Sequence, residues 1–303
     1  MASTASGSIL PLVLVACLLA AGPAMADSCP RVLAQAIPAR PASAPTGSDF
    51  VRRTAGLSEA EREPVIARAL LAGDLPGFLR RLRPVTLQGE AGGRPVRVTI
   101  CVTPDYLALG SDQDFLRIPM ALPTALAVAG RFGFVLPTPK MVDAIYEQAD
   151  VHLRPQPLPA SDRMRSTAYY WRHDHRIRAQ RLALGAPLGV LVAGDKKDLV
   201  LSNRLLATPG RVAIYGWHRS DGDPIQPLST VHGRRYADYS HGVRLVSAIA
   251  YVDGRPTPII DLLEDPELAD LLSDEGPISL YASLGQHWQR VAAQSSCTAT
   301  TAC

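Results

Sequence analysis

The spacing of apolar residues changes near Gly185, and this change restricts the fold more than any other feature of the chain. Before Gly185, apolar residues recur at helical intervals behind capping signals. After it, they come in short runs divided by tight, charged or Gly-containing turns. Ser58-Glu59-Ala60-Glu61 has the form of a capping box and predicts a helix with Val65, Ile66, Ala69 and Leu70 on one face, ending at Gly73. Asp74-Leu75-Pro76 predicts a second, shorter helix carrying Phe78, Leu79 and Leu82. Residues 96–102 alternate and predict a strand with one buried face. Further helices are expected over 123–131, from a Thr138 cap with Pro139 at the first helical position, and from Ser161 to Leu182.

Beyond Gly185 the expectation is of strands. Val190-Leu191-Val192 and Leu199-Val200-Leu201 flank Asp195-Lys196-Lys197-Asp198 as the arms of a hairpin. Residues 212–217 form a third strand ended by Ser220-Asp221-Gly222-Asp223, and 236–252 a long bent one turned back at Asp253-Gly254. Asp265-Pro266 then opens a helix holding Leu268, Leu271 and Leu272. The expected class is α+β, a helical N-terminal half followed by an antiparallel, hairpin-connected β-sheet.

Residues 1–26 carry no charge, have an apolar stretch from Ile9 to Ala21, and place Ala24 and Ala26 where a signal peptidase reads. A signal peptide is therefore expected, with the mature chain starting at Asp27. Leu14-Val15-Ala16-Cys17 offers a second reading, a lipobox. The rest divides into a Pro- and Ala-rich linker over 27–49, a single α+β domain over 50–296 and a tail over 297–303. The chain is expected in the periplasm or outside the cell. Its net charge of +3 is small and spread out, so no nucleic-acid partner is expected, and no later apolar run reaches membrane length. Cys29, Cys101, Cys297 and Cys303 follow the leader, and an oxidising compartment would join at least two of them. Cys29 and Cys297 are placed to staple the ends; Cys101, in a strand, reads equally as a buried thiol or a bridged one.

The chain has no G-x-S-x-G, H-E-x-x-H, P-loop, C-x-x-C or dinucleotide fingerprint. Reactive side chains instead concentrate in Tyr215-Gly216-Trp217-His218, Ser229-Thr230-Val231-His232-Gly233 and Tyr236-Ala237-Asp238-Tyr239-Ser240-His241-Gly242. His218, His232, Asp238 and His241 are the catalytic candidates. Tyr215, Trp217, Tyr236, Tyr239 and Lys197 are the substrate-binding candidates. Two chemistries fit. In one, His232, Asp238 and His241, or His218 in place of one of them, hold Zn²⁺ and an activated water. The stretch resembles the His…Asp pattern of D-alanyl-D-alanine metallopeptidases, though its spacing differs and no Glu-x-x-His follows. In the other, without metal, Asp238 and Ser240 share a strand face about 7 Å apart, and an imidazole from a neighbouring strand bridges them. Tyr236 or Tyr239 would then donate a proton.

His173 and His175 fall on a helix, where residues two apart point away from each other, so a solvated helix face is expected for them. The Asp195–Asp198 turn is expected to be an exposed tip from which Lys197 reaches an anionic substrate. The functional expectation is an exported hydrolase acting on a cell-envelope or extracellular polymer, peptide or glycan. The alternative is a non-catalytic module that binds peptide or glycan on Tyr215, Trp217, Tyr236 and Tyr239.

Overall fold

The computed structural model describes residues 28–279. The expected leader with its two alternative processing sites, Cys17 and Asp27, lies outside the described residues, as do Cys297, Cys303 and the tail. In chain order the helices and strands are α1 (Gly47–Thr54), α2 (Glu59–Leu71), the hairpin β1 (Arg83–Ala91) and β2 (Arg94–Val102), and the short hairpin β3 (Ala108–Gly110) and β4 (Phe115–Arg117). There follow α3 (Leu122–Phe132), β5 (Phe134–Val135), α4 (Pro139–Glu147), β6 (Val151–His152), α5 (Thr167–Ala183), β7 (Val192–Ala193) and β8 (Lys197–Leu199). The C-terminal part holds α6 (Arg204–Ala207), β9 (Ile214–His218), β10 (Pro224–Ser229), β11 (His241–Gly242), β12 (Val246–Ser247), β13 (Ile249–Val252), β14 (Arg255–Pro258) and α7 (Ile259–Glu264).

The class is mixed α+β with mainly antiparallel sheets, but helices and strands are interleaved. The longest hairpin lies in the half expected to be helical. Its first strand, β1, carries only two strongly apolar residues, Val85 and Leu87, both buried, between Thr86, Gln88 and Glu90, an alternation too short in apolar residues to stand out in the sequence. Gly92 and Gly93, both with positive φ, make the two-residue turn that sends the chain back as β2. Two sheets organise the molecule. One runs β14-β13-β2-β12-β5 with β1 also on β2; the other runs β10-β9-β8-β11. Ser58 and Thr138 cap α2 and α4 with the hydrogen bonds their spacing predicts. The short helix expected after Asp74 is only a 3-10 turn, although it buries Phe78 and Leu79 as expected.

Two boundaries differ from expectation. The Pro- and Ala-rich stretch packs on the domain instead of trailing from it. Cys29 bridges Cys101 of β2, with Cα atoms 5.8 Å apart; Ala34 and Ile37 are buried; and Arg40 pairs with Asp74 at 3.0 Å. Thr46 then caps α1 in a full capping box with Asp49. The second difference is the expected hairpin around Asp195–Asp198. β7 pairs in parallel with β6, while β8 lies between β9 and β11. The chain turns between β7 and β8 at Gly194 (φ +102), where a Cβ would come within 2.6 Å of the Leu153 carbonyl. Asp195, Lys196 and Asp198 are consequently buried and do not form a tip.

Candidate functional site

The second sheet and the loop before β11 bring most of the sequence candidates together. Asp238, Tyr239 and Ser240 form a turn, not a strand. The Ser240 N–H and hydroxyl both donate to Asp238 Oδ1, at 2.8 and 2.6 Å, and His241 N–H donates to the Asp238 carbonyl. The turn swings Asp238 and His241 to one side, where Asp238 Oδ2 lies 4.0 Å from His241 Nε2. On a regular strand these two side chains would point to opposite faces. Tyr236 donates its hydroxyl to Asp238 Oδ2 at 3.1 Å, and its ring stacks on His232 with centroids 4.0 Å apart. The His232 ring in turn lies 6.0 Å from that of His241.

Lys197 is the strand partner of His241 across the parallel β8–β11 pair, and its Nζ stands 5.0 Å above the Trp217 ring. Trp217 is there because of its backbone. Its φ of 59° follows Gly216 at 104°, and this kink in β9 turns Trp217 toward Lys197 while Tyr215 and His218 both reach Asp143.

The electrostatics are set by burial. His241 is fully enclosed, and neither ring nitrogen has a hydrogen-bond partner within the protein; the Trp217 indole N–H is similarly unpartnered. Burial pushes the His241 imidazole down to about 4 against the pull of Asp238. It is therefore neutral at neutral pH. Burial would raise Asp238, but His241, the two Ser240 hydrogen bonds and Lys197 together hold it below the usual carboxylate range. Burial lowers Lys197 and His232, with Asp238 opposing it in each case. Tyr236 rises to about 12 through burial and the Asp238 charge.

His232, Asp238, His241, Tyr236, Trp217 and Lys197 thus share one place. His218, Tyr215 and Tyr239 do not belong to it. Tyr239 is a core residue whose hydroxyl bonds the backbone of Leu158. His218 and Tyr215 line a separate cleft with Asp143. Of the two chemistries weighed, the zinc arrangement does not suit these residues: among the described residues no three His, Cys, Asp or Glu side chains are grouped to hold one ion. Asp238 is already engaged on both oxygens, by Ser240 and by Tyr236. Ser240 is likewise no free nucleophile, since its hydroxyl is tied to Asp238.

Beneath the site lies a layer of buried charge that sequence reading missed. Arg117 bonds Asp105 at 2.7 Å and Asp174 at 2.9 Å; Arg181 bonds Asp105 at 2.9 Å; and Tyr106 donates to Asp198 at 2.8 Å. Lys196, brought down to about 8 by burial, donates to the Tyr239 carbonyl at 2.7 Å and lies 3.1 Å from His173 Nδ1. His173, expected on a solvated face, is fully buried, and so is its neighbour Asp174. The helix does point His173 and His175 apart, but it turns His173 inward to meet Lys196, which the sequence had placed on a tip. The available signal was the density of charge itself: a turn with two acids and two lysines, and a helix with His-Asp-His in its middle.

No protein-family model matches the chain, and comparison with curated proteins and with solved structures finds no match.

Proposed function

We propose that this protein is an exported hydrolase of a cell-envelope or extracellular polymer, peptide or glycan, with His241, Asp238, Lys197 and His232 at its centre. One observation carries the reading: a neutral imidazole with both nitrogens unpartnered, 4.0 Å from a carboxylate held ionised, on the strand that pairs with Lys197. Buried polar atoms are normally satisfied. An enclosed histidine held neutral beside a carboxylate and a lysine suits proton transfer better than it suits a core.

In this reading His232 and Tyr236 move aside to admit water and substrate to the enclosed His241, which takes a proton from water as the water oxygen bonds to the scissile carbon. His241 then returns the proton to the leaving amine or sugar oxygen. Asp238 stabilises the transient imidazolium, and the Lys197 ammonium offsets negative charge developing on the substrate. His232 and Tyr236, both partly exposed, form the wall nearest solvent. Export rests on the uncharged leader pattern, with which the Cys29–Cys101 bridge agrees.

The test is turnover of purified peptidoglycan and of a panel of extracellular glycans by the wild type and by His241→Gln. The variant should lose about 100-fold or more in kcat while retaining substrate binding and its melting temperature within a few degrees. The wild-type acid limb of kcat should lie near pH 4, where His241 takes up its proton. Equal turnover by both proteins removes His241 from the chemistry. Binding without turnover on every substrate favours the binding module, with Trp217 and Tyr236 as its platform.

A further inference from the structure

Trp217 is buried, 7% exposed, yet it takes no part in the main apolar core. Its φ of 59° lies in the left-handed region, where a bulky residue is strained. Its indole N–H has no hydrogen-bond partner in the protein, although a buried Trp normally finds one. Neither the core nor a hydrogen bond accounts for the strained backbone, and a buried, unsatisfied donor points to an acceptor supplied from outside. The half-buried Lys197 stands beside it, with Nζ 5.0 Å from the ring centre. Among the described residues Lys197 makes no hydrogen bond or ion pair, and the nearby Asp238 is engaged by Ser240 and Tyr236. A carboxylate accepting one hydrogen bond of about 2.8 Å on each oxygen spans a gap of this order. The flexible lysine stem lets the ammonium swing from the face of the ring toward its edge.

The surroundings favour an anion. Arg165 lies over the Tyr236 ring at 5.6 Å. Arg211 donates to the Val231 carbonyl at 2.8 Å, next to His232, whose protonation its charge opposes. Exposed Arg234 and Arg235 directly precede Tyr236. Of these four guanidiniums only Arg165 has a carboxylate partner among the described residues, Glu59 at 3.0 Å. Positive charge therefore prevails around the His232 and Tyr236 wall, and an anion is drawn toward it.

We propose that the Trp217 indole N–H and the Lys197 ammonium form a subsite for a carboxylate carried on a short alkyl stem, the acidic side chain or chain end of a peptide. The inference deepens the hydrolytic reading by naming its substrate class, and it rests on that reading for the role of His241. Lys197 pairs with His241 across β8 and β11, so a carboxylate held there sets the adjoining part of the peptide beside the imidazole. An ammonium has three donors, so Lys197 can hold the carboxylate and still face charge that develops during the reaction. A stem is favoured over a carboxylate borne on a sugar ring because the approach is enclosed: Trp217 and His241 are both buried, and the way in opens only as far as the His232 and Tyr236 rings turn. A methylene chain can follow the Lys197 stem inward, whereas a pyranose would have to enter whole.

Titration of the isotope-labelled full chain with Nα-acetyl-glutamate methylamide tests it, read by NMR at the Trp217 indole N–H. Trp217→Phe identifies that resonance by its loss; if this variant does not fold, Trp171→Phe and Trp288→Phe identify it by elimination. The resonance should move downfield and saturate. Affinity should weaken as salt rises and fall about tenfold or more for the glutamine analogue, which keeps the stem and lacks the charge. Lys197→Met should weaken it to a similar degree, and if that variant unfolds the glutamine analogue still decides. A resonance unmoved at about 10 mM probe, equal affinity for the glutamine analogue, or unchanged affinity in folded Lys197→Met overturns the inference. Methyl glucuronoside binding as tightly as the glutamate probe also overturns it, by showing that the stem is not read. The two readings fail separately. Probe binding by a protein that turns over no polymer supports the subsite and removes the hydrolysis, whereas turnover without probe binding removes the subsite alone.

Discussion

His241 couples its protonation to the stability of the fold. Its folded value of about 4 lies below the ordinary 6.5, so between these pH values the unfolded chain binds a proton that the folded one refuses. The stability this group contributes is complete above about pH 6.5 and is lost as pH falls toward 4, at no more than about 1.4 kcal/mol per pH unit. His173, also depressed by burial, adds a loss of the same sign. Asp195 and Asp198, raised by burial to about 6 and about 7, act in the opposite direction. The measurable quantity is therefore a difference. Denaturant melts of wild type and His241→Gln at pH 7, 6, 5 and 4 should show the variant losing less stability on acidification, and parallel curves would mean that His241 is not held neutral. The grouping of His232, Asp238 and His241 was legible in the sequence because they are close along the chain. Asp143 and Lys196 were not: Asp143 reads as an ordinary polar position on an amphipathic helix, and Lys196 as one of two solvated lysines. Only the packing of α4 against β9, and of β8 between its neighbours, gives them partners.

At the scale of elements, the contact that builds the site is the two-residue strand β11 against β8. Gly242 makes it possible. A Cβ there would come within 2.5 Å of the Tyr106 ring and 2.8 Å of Lys196 Cβ. Gly242→Ala should therefore cost about 1–3 kcal/mol in a chemical melt, as overpacking generally does. It should also displace His241 from Lys197, so that activity per folded molecule falls as well; a variant as stable as wild type would show that the contact yields easily. Elements announced by local signals could be read from sequence, as with α2 behind Ser58, α4 behind Thr138 and Pro139, and the alternation of β2. Elements that exist only through long-range pairing could not. β7 and β8 look like two arms of one hairpin because a charged turn divides two apolar runs, yet each finds a better partner elsewhere. The stretch 236–252 looks continuous because its apolar residues are, but buried Arg244, bonded to the carbonyls of Thr103 and Val192, fixes the chain where it bends between β11 and β12.

For the whole molecule, the Cys29–Cys101 bridge ties the N-terminal segment to the central strand of the larger sheet. It spans 72 residues of sequence, a loop whose closure is worth about 4 kcal/mol by chain entropy alone. Cys101→Ser should lower stability by a substantial part of that amount. Dithiothreitol should do the same to the wild type and leave the variant unchanged; identical melts with and without reductant would show that the bridge does not form. β2 is also the strand on which β12 and β13 pair, and both lie more than a hundred residues further along the chain. If the chain is exported as proposed and crosses N-terminus first, oxidation would lock the β1–β2 hairpin to its N-terminal strap before either of those strands has appeared. The late strands would then arrive at a surface already assembled, and the order of export would become an order of assembly.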